Sequence, residues 1–368
     1  MGLVSASMRR NVLIGLAAGS ALLLALTACG GTSSSSSSSP SSGQSTPDNL
    51  SLSVGLAALT TQSVEIYVAK TKGFFAKHGL TVSITNYGAT ANTEVAAGRV
   101  DLVQSGCANT LPPTASGHQA SIVYWMVGNN TSVQVATKSP LRAGATPTDT
   151  LLSMSGKRVA VQGSGGSATG AANAMSNYIV AHGGKPLTVV GLPNASAISA
   201  QLLSGQIDAA VGADAEVEAA LVDGRARILI DGRDPAGQAL TGGNYAGVCM
   251  WGIQSQLQGK PKAVAAFVAG MRDAYTYITA NSVSTVANDL HSNKDFGSLQ
   301  PKAIADSLRF DIPSLTSSAG FLSSDVWQAS IRAYSGFKLT QDPTDPKYAY
   351  QNMVDMSYWN AATALIGK

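Results

Sequence analysis

The stretch best equipped for chemistry runs from Arg158 to Ala174, RVAVQGSGGSATGAANA. Val159–Val161 reads as a short buried strand, the loop Gly163–Ser167 is almost all Gly and Ser, and the Ala-rich residues after it read as a helix. Gly163 to Ala168 fits G-x-G-x-x-G/A, in which small residues let a pyrophosphate approach the backbone at a helix N-terminus. A dinucleotide site also needs an acid about 20 residues further on to bind the ribose. From Arg158 to Ile207 there is no Asp or Glu, so the nucleotide reading fails. What remains is a loop of accessible amides at a helix start, with Gly165 between the hydroxyls of Ser164 and Ser167. That chemistry suits a small anionic group. A turn that only packed the helix on its sheet would not need both serines.

These residues need a frame, and the sequence supplies one. From residue 51 onward strand-like runs alternate with helical stretches. Strands are expected at Leu52–Leu56, Thr81–Thr85, Val100–Gln104, Ser121–Val127, Val159–Val161, Thr188–Val190, Ile207–Val211 and Ala226–Ile230. Helices are expected at Gln62–Ala76, Ala91–Ala97, Gly170–His182, Ala197–Leu203 and Ala215–Val222. This rhythm predicts an α/β fold of doubly wound layers. After about Lys260 it stops. Pro261–Asn281 reads as one long amphipathic helix with Pro in its first turn, and the rest as mostly helical. An internal repeat points to two similar lobes: Ala97-Gly98-Arg99-Val100-Asp101-Leu102-Val103 resembles Ser204-Gly205-Gln206-Ile207-Asp208-Ala209-Ala210. If Val133–Lys138 and Tyr245–Cys249 are linkers, the second lobe (139–244) is inserted in a discontinuous first lobe (50–132 and 250–368).

In open α/β sheets ligands bind outside the carboxyl ends of the strands. Four loops take that position: Ala58–Gln62, Gln104–Asn109, Gly163–Ser167 and Gly212–Glu216. Thr60, Thr61 and Gln62 can donate from the first or merely cap the helix that follows. Gln104 and Ser105 offer an amide and a hydroxyl from the second. The fourth is acidic: Asp214 and Glu216 can meet a cation, or serve as an N-cap and a solvated first-turn residue. None of the four carries Lys or Arg. A zwitterion or an amine-bearing anion would use both kinds of loop. Tyr124, Trp125, Tyr245 and Trp251 lie near the linkers, where they can stack on a ring or pack the lobe core.

The N-terminus sets the compartment. Arg9 and Arg10 precede an apolar run, Val12–Leu26, of signal-peptide length and too short for a confident membrane span. Leu26-Thr27-Ala28-Cys29 follows and resembles the bacterial lipobox, in which the Cys is lipidated and becomes the new N-terminus. Residues 1–28 are then a leader and 29–49 a Ser-rich tether unable to bury a core. The expected place is outside the cytoplasm, lipid-anchored to the cell membrane. The chain of 368 residues carries a formal net charge of +3. Cleavage removes two arginines and no acid, leaving +1, which is no footprint for nucleic acid. Charged residues are only 12% and hydrophobic ones 45%, which provides for a sizeable core in each of two domains.

Several segments together resemble a known family. Ala69-Lys70-Thr71-Lys72-Gly73-Phe74-Phe75-Ala76-Lys77-His78-Gly79-Leu80-Thr81-Val82 is similar to the A…K-G-F-F…G-L-x-V segment of solute-binding proteins of ABC importers, in the nitrate/sulfonate/taurine branch that also holds thiamine-pyrimidine-synthase relatives. Leu152–Ser164 (L-x-G-K-R-V-A-V…G-S, allowing for Met154) and Leu202–Val211 (L-x-S-G-Q-I-D-A-A-V) agree. The resemblance covers roughly 50–290. It implies a two-lobed flytrap of the periplasmic-binding-protein type II kind, with a helical C-terminal extension. Such a protein binds a small anionic or zwitterionic solute between its lobes as a monomer, delivers it to ABC permease subunits, and uses no cofactor. In that family's sheet the returning strand runs beside the third strand. This implies that Cys107 and Cys249 lie close enough to bond in an oxidising compartment, the alternative being two buried thiols.

An enzyme is the rival class. No G-x-S-x-G or Walker A motif occurs. His78, His118, His182 and His291 are scattered and not at metal-ligand spacing, so no metal site is expected. The synthase relatives use a Cys-rich cluster, which this chain lacks. A lipoprotein that senses a solute would share fold and cleft with an importer component, and only its coupling to a permease would tell them apart.

Overall fold

The computed structural model describes residues 50–163, 167–213, 217–340 and 342–367. Eleven strands lie among them: β1 Leu50–Leu56, β2 Leu80–Asn86, β3 Leu102–Gly106, β4 Ala120–Val127, β5 Ser132–Ala136, β6 Arg158–Gln162, β7 Thr188–Leu192, β8 Ala209–Gly212, β9 Ala226–Asp231, β10 Val248–Ile253 and β11 Leu315–Gly320. They build two sheets, β11-β4-β10-β3-β1-β2 and β7-β6-β8-β5-β9. Helices cover both, and the fold is the two-lobed type II architecture.

The two sheets repeat one pattern. In the first, β1 pairs in parallel with β2 and β3. In the second, β6 does the same with β7 and β8. The repeated Asp explains the sequence similarity. Asp101 accepts from the Ser53 amide at 2.8 Å, and Asp208 accepts from the Arg158 amide at 2.8 Å. Each carboxylate thereby ties the turn before a third strand to the neighbouring first strand. Gly98 and Gly205, at the ends of the preceding helices, have φ of 73° and 77°, a conformation that favours glycine.

One strand in each sheet comes from the other side of the molecule. β10 runs antiparallel between β3 and β4, and β5 runs antiparallel between β8 and β9. This corrects the expected linkers. Val133–Ala136 is not a connection but an inserted strand, and the chain passes between the sheets at 128–131. The return passes at 242–247, so Cys249 already belongs to β10. Backbone pairing on both edges explains the difference: a run buried between two strands must satisfy all its amides there. The C-terminal part also contributes β11, an edge strand beside β4.

The core follows the layers. Leu52, Val54, Tyr67, Phe267 and Met271 fill one face of the first sheet. A second cluster runs from Val103 and Trp251 in the first lobe to Val159 and Met175 in the second, through Trp327, Tyr334 and Phe337 of the C-terminal part. Phe337 is seated so closely that a Cβ on Gly170 would lie 2.2 Å from its own Cβ. A disulfide joins Cys107 and Cys249, with Cα atoms 5.1 Å apart.

Candidate functional site

The first loop follows β1 and opens a short helical turn, Thr61–Ser63, before the helix Val64–Thr71. Thr60 is its N-cap and accepts from the Gln62 amide at 3.3 Å. Thr61 is buried and donates its hydroxyl to Asp311, far along the chain. Gln62 is only half-buried, and its backbone carbonyl accepts from Gln104 Nε2 at 3.3 Å.

Gln104 and Ser105 serve the frame. Gln104 Oε1 accepts from the Ser63 hydroxyl at 2.6 Å. Ser105 Oγ donates to Asn92 at 2.8 Å and accepts from the Trp251 indole at 2.9 Å. Both residues are buried. Their polar atoms therefore lock the first loop and β10 onto β3. Of the Gly163–Ser167 loop, Gly163 ends β6 with φ of 74°, and Ser167 is half-buried at the first position of the 15-residue helix Ser167–Ala181. Ser164, Gly165, Asp214 and Glu216 lie outside the described residues, as does Cys29.

The aromatic residues near the linkers pack. Tyr124 is fully buried and donates to Glu65 at 2.8 Å. Tyr245 shares a 2.6 Å hydrogen bond with Thr131 and meets Tyr334 and Phe337 edge-on. Burial pushes its phenol up to about 12, against the opposing hydrogen bond from Thr131. Trp251 lies inside the core. Trp125 borders a cavity of about 320 Å³, shared with Asn129, Arg233, Asn244 and Thr316.

Arg233 is the residue the sequence did not single out. It follows β9, outside the four loops. Its guanidinium binds Asp231 through Nε and Nη2, both at 2.8 Å, and its Nη1 donates to the Phe310 carbonyl at 3.1 Å. Burial works against the Asp231 charge, but these bonds outweigh it and hold the carboxyl below its ordinary range. The only signal in the sequence was the pair Asp231 and Arg233 two residues apart at a strand end. Phe310 and Asp311 close the helix Pro301–Asp311, which packs against both Thr61–Ser63 and the second-lobe helix Glu218–Val222. No group of three or more His, Cys, Asp or Glu capable of holding a metal ion occurs among the described residues.

A family model described as "NMT1/THI5 like" matches residues 60–284, more than half of the chain. The chain belongs to the NMT1/THI5-like family. That is the branch to which the K-G-F-F and S-G-Q-I-D segments pointed. No curated protein sequence matches the chain. Solved structures do. The alkanesulfonate-binding protein SsuA of Xanthomonas axonopodis pv. citri, bound to MOPS, superposes with a TM-score of 0.58 at 21% identity, over 80% of this chain and 95% of that one. The aliphatic sulphonate-binding protein SsuA of Escherichia coli gives 0.60 at 18% over 81% and 91%. The nitrate-binding protein NrtA of Synechocystis PCC 6803 gives 0.63 at 15% over 87% and 90%. At these identities the likeness shows the fold. Among the described residues no helix is long and apolar enough to cross a membrane.

Proposed function

We propose that this chain is the extracytoplasmic solute-binding component of an ABC importer, tethered by a lipid on Cys29 and catalysing no reaction. The observation that carries the reading is the matched pair of sheets. In each, a first and a third strand run parallel, so their carboxyl ends and following loops lie on one side, and the chain crosses between the two sheets at 128–131 and 242–247. Two such sheets with their loop ends turned to one another make a cleft for a small molecule. The structural neighbours named for sulfonates and nitrate support the solute class: a small anionic or zwitterionic organic compound of the sulfonate or taurine kind.

The anionic group is assigned to Ser164, Gly165 and Ser167, the last of which opens the 15-residue helix Ser167–Ala181, long enough to have a useful dipole. An amine on the same solute goes to Asp214 and Glu216. Thr60 and Gln62 contact the solute from the first lobe. Gln104 and Ser105 hold those contacts in place, and Thr61 links them to the helix Pro301–Asp311. Ser164→Asp puts a negative charge where the anion binds, and a loss of at least about 2 kcal/mol is expected from repulsion and lost donors. Calorimetry with unchanged affinity in the folded variant overturns this placement.

The reading as a whole is tested on mature protein. Mass spectrometry identifies what co-purifies, and thermal shift with taurine, longer alkanesulfonates, nitrate and amino acids should show one class raising Tm through mass action. No shift with any of them, and nothing co-purifying, rejects the solute class. Cys29→Ala should leave affinity intact and release the protein from the membrane fraction; a variant that stays membrane-bound refutes the anchor.

A further inference from the structure

We infer that the helix Pro301–Asp311 is a strap across the cleft, and that Arg233 and Asp311 are the positioning residues that fasten it. Its C-terminal end is held by both lobes at once. On the first-lobe side, the buried Thr61 hydroxyl donates to the Asp311 carboxylate. On the second-lobe side, Arg233 Nη1 donates to the Phe310 carbonyl at 3.1 Å. The two fastenings sit on adjacent residues, so neither lobe can swing away without breaking one of them.

The fastening on the second lobe is rigid. Asp231 grips the guanidinium through two parallel bonds of 2.8 Å, a fork geometry that fixes orientation as well as charge. Arg233 therefore reaches the strap from a set position at the end of β9. The Phe310 carbonyl lies in the last turn of its helix, where carbonyls lack intrahelical partners and attract cations. Thr61 is equally well placed, since it belongs to the loop that follows β1. Between the two lobes the helix leaves a space of about 500 Å³ beside Glu218, Ala219 and Val222, so it bridges the gap and does not fill it. Asp306, one turn earlier, is held by Lys302 and Arg309 of the same helix. The strap thus keeps its own charges paired, seats Ile304 and Leu308 in the first-lobe core, and is fastened to the second lobe at its end.

The consequence is functional, and it rests on the inter-lobe cleft being the solute site. The two passages and the packed seam beside them leave the loop ends of the lobes unfastened. A strap bonded to both adds a closed-state bias, and solute must exchange when the Phe310–Asp311 end lets go. The test needs no solute. Scattering and hydrogen exchange are measured on the solute-free mature protein, wild type and variants. Arg233→Ala should enlarge the radius of gyration and speed amide exchange across 301–311 at least tenfold, with β8 unchanged. Thr61→Val, which replaces the hydroxyl by a methyl of similar size, should shift both readouts the same way. Arg233→Lys should restore part of the effect, because an ammonium can pair with Asp231 or reach the carbonyl but cannot make the whole fork. Wild-type scattering and exchange in both Arg233→Ala and Thr61→Val overturn the inference. So does faster exchange with unchanged scattering, which means a helix end that frays while the lobes stay put. If Arg233→Ala does not fold, Thr61→Val decides. Absence of any solute-induced thermal shift would count against the solute reading and leave these results standing.

Discussion

Glu65 sits fully buried on the first turn of the helix Val64–Thr71, one carboxyl oxygen accepting from Tyr124 at 2.8 Å and the other without a hydrogen-bond partner. Burial raises its pKa to about 8, and the Tyr124 bond only partly opposes that. The folded state therefore keeps a proton that the unfolded chain releases near pH 4.5. Between those values the native state binds more protons, so stability falls as pH rises through the window and levels off above it. Glu65→Gln removes the liability. The variant should match wild type near pH 4.5 and gain with pH, reaching about 2–4 kcal/mol at pH 8. Denaturant midpoints that stay equally spaced from pH 5 to pH 8 contradict this. Gly170 carries a second prediction at the same scale. A methyl there would press into the Cβ of Phe337, which is no flexible chain end, so Gly170→Ala should cost about 1–3 kcal/mol despite its better helix propensity. A neutral or stabilising result in thermal melts denies the tight seat. Neither residue was visible as special in the sequence. Glu65 read as one acid in a helix start, and Gly170 as one small residue in an Ala-rich run, because burial and long-range contact decide both.

At the scale of elements the sequence is far more legible. The apolar runs from Leu52 to Ile230 all become strands, since short β-branched stretches between Gly and polar turns have few other uses. Asp101 and Asp208 were already marked by the internal repeat. Pairing is harder to read. The run Val133–Ala136 has the composition of a strand, but nothing local says that its neighbours are β8 and β9, and long-range order is set by topology. The same holds for β11, whose Leu-Thr-Ser-Ser-Ala-Gly sequence has weak strand character and survives as an edge beside β4. The disulfide works at this scale as well. It fastens the end of β3 to the start of β10 and encloses a separation of 142 residues, including the whole second sheet. Chain-entropy reasoning gives at most about 5 kcal/mol for such a loop, and real bonds deliver less. The double variant Cys107→Ser/Cys249→Ser should lose about 2–4 kcal/mol relative to the oxidised protein. Equal denaturant midpoints for the two would show that the bond constrains nothing in the unfolded chain.

The molecule as a whole is held together by more than its two passages. A hydrophobic cluster shared by both lobes runs through Trp327, Tyr334 and Phe337, and the Phe337 ring stands edge-on to Tyr245 at 5.6 Å beside the return passage. Packed side chains of this kind resist sliding but tolerate small rotations about the place where they are seated. The seam is therefore the expected pivot, with the widest opening expected at the loop ends that lie away from it. It follows that solute binding should draw the lobes together by a modest rotation and leave the seam packed. Two measurements at saturating solute check this. Small-angle scattering should show a smaller radius of gyration than the solute-free protein, while hydrogen exchange around Phe337 and Tyr245 stays unchanged and that of the Gly163–Ser167 loop slows. Superimposable scattering profiles point to a rigid pocket. Changed exchange at Phe337 would move the pivot elsewhere, because a seam that repacks on binding cannot be the axis about which the lobes turn.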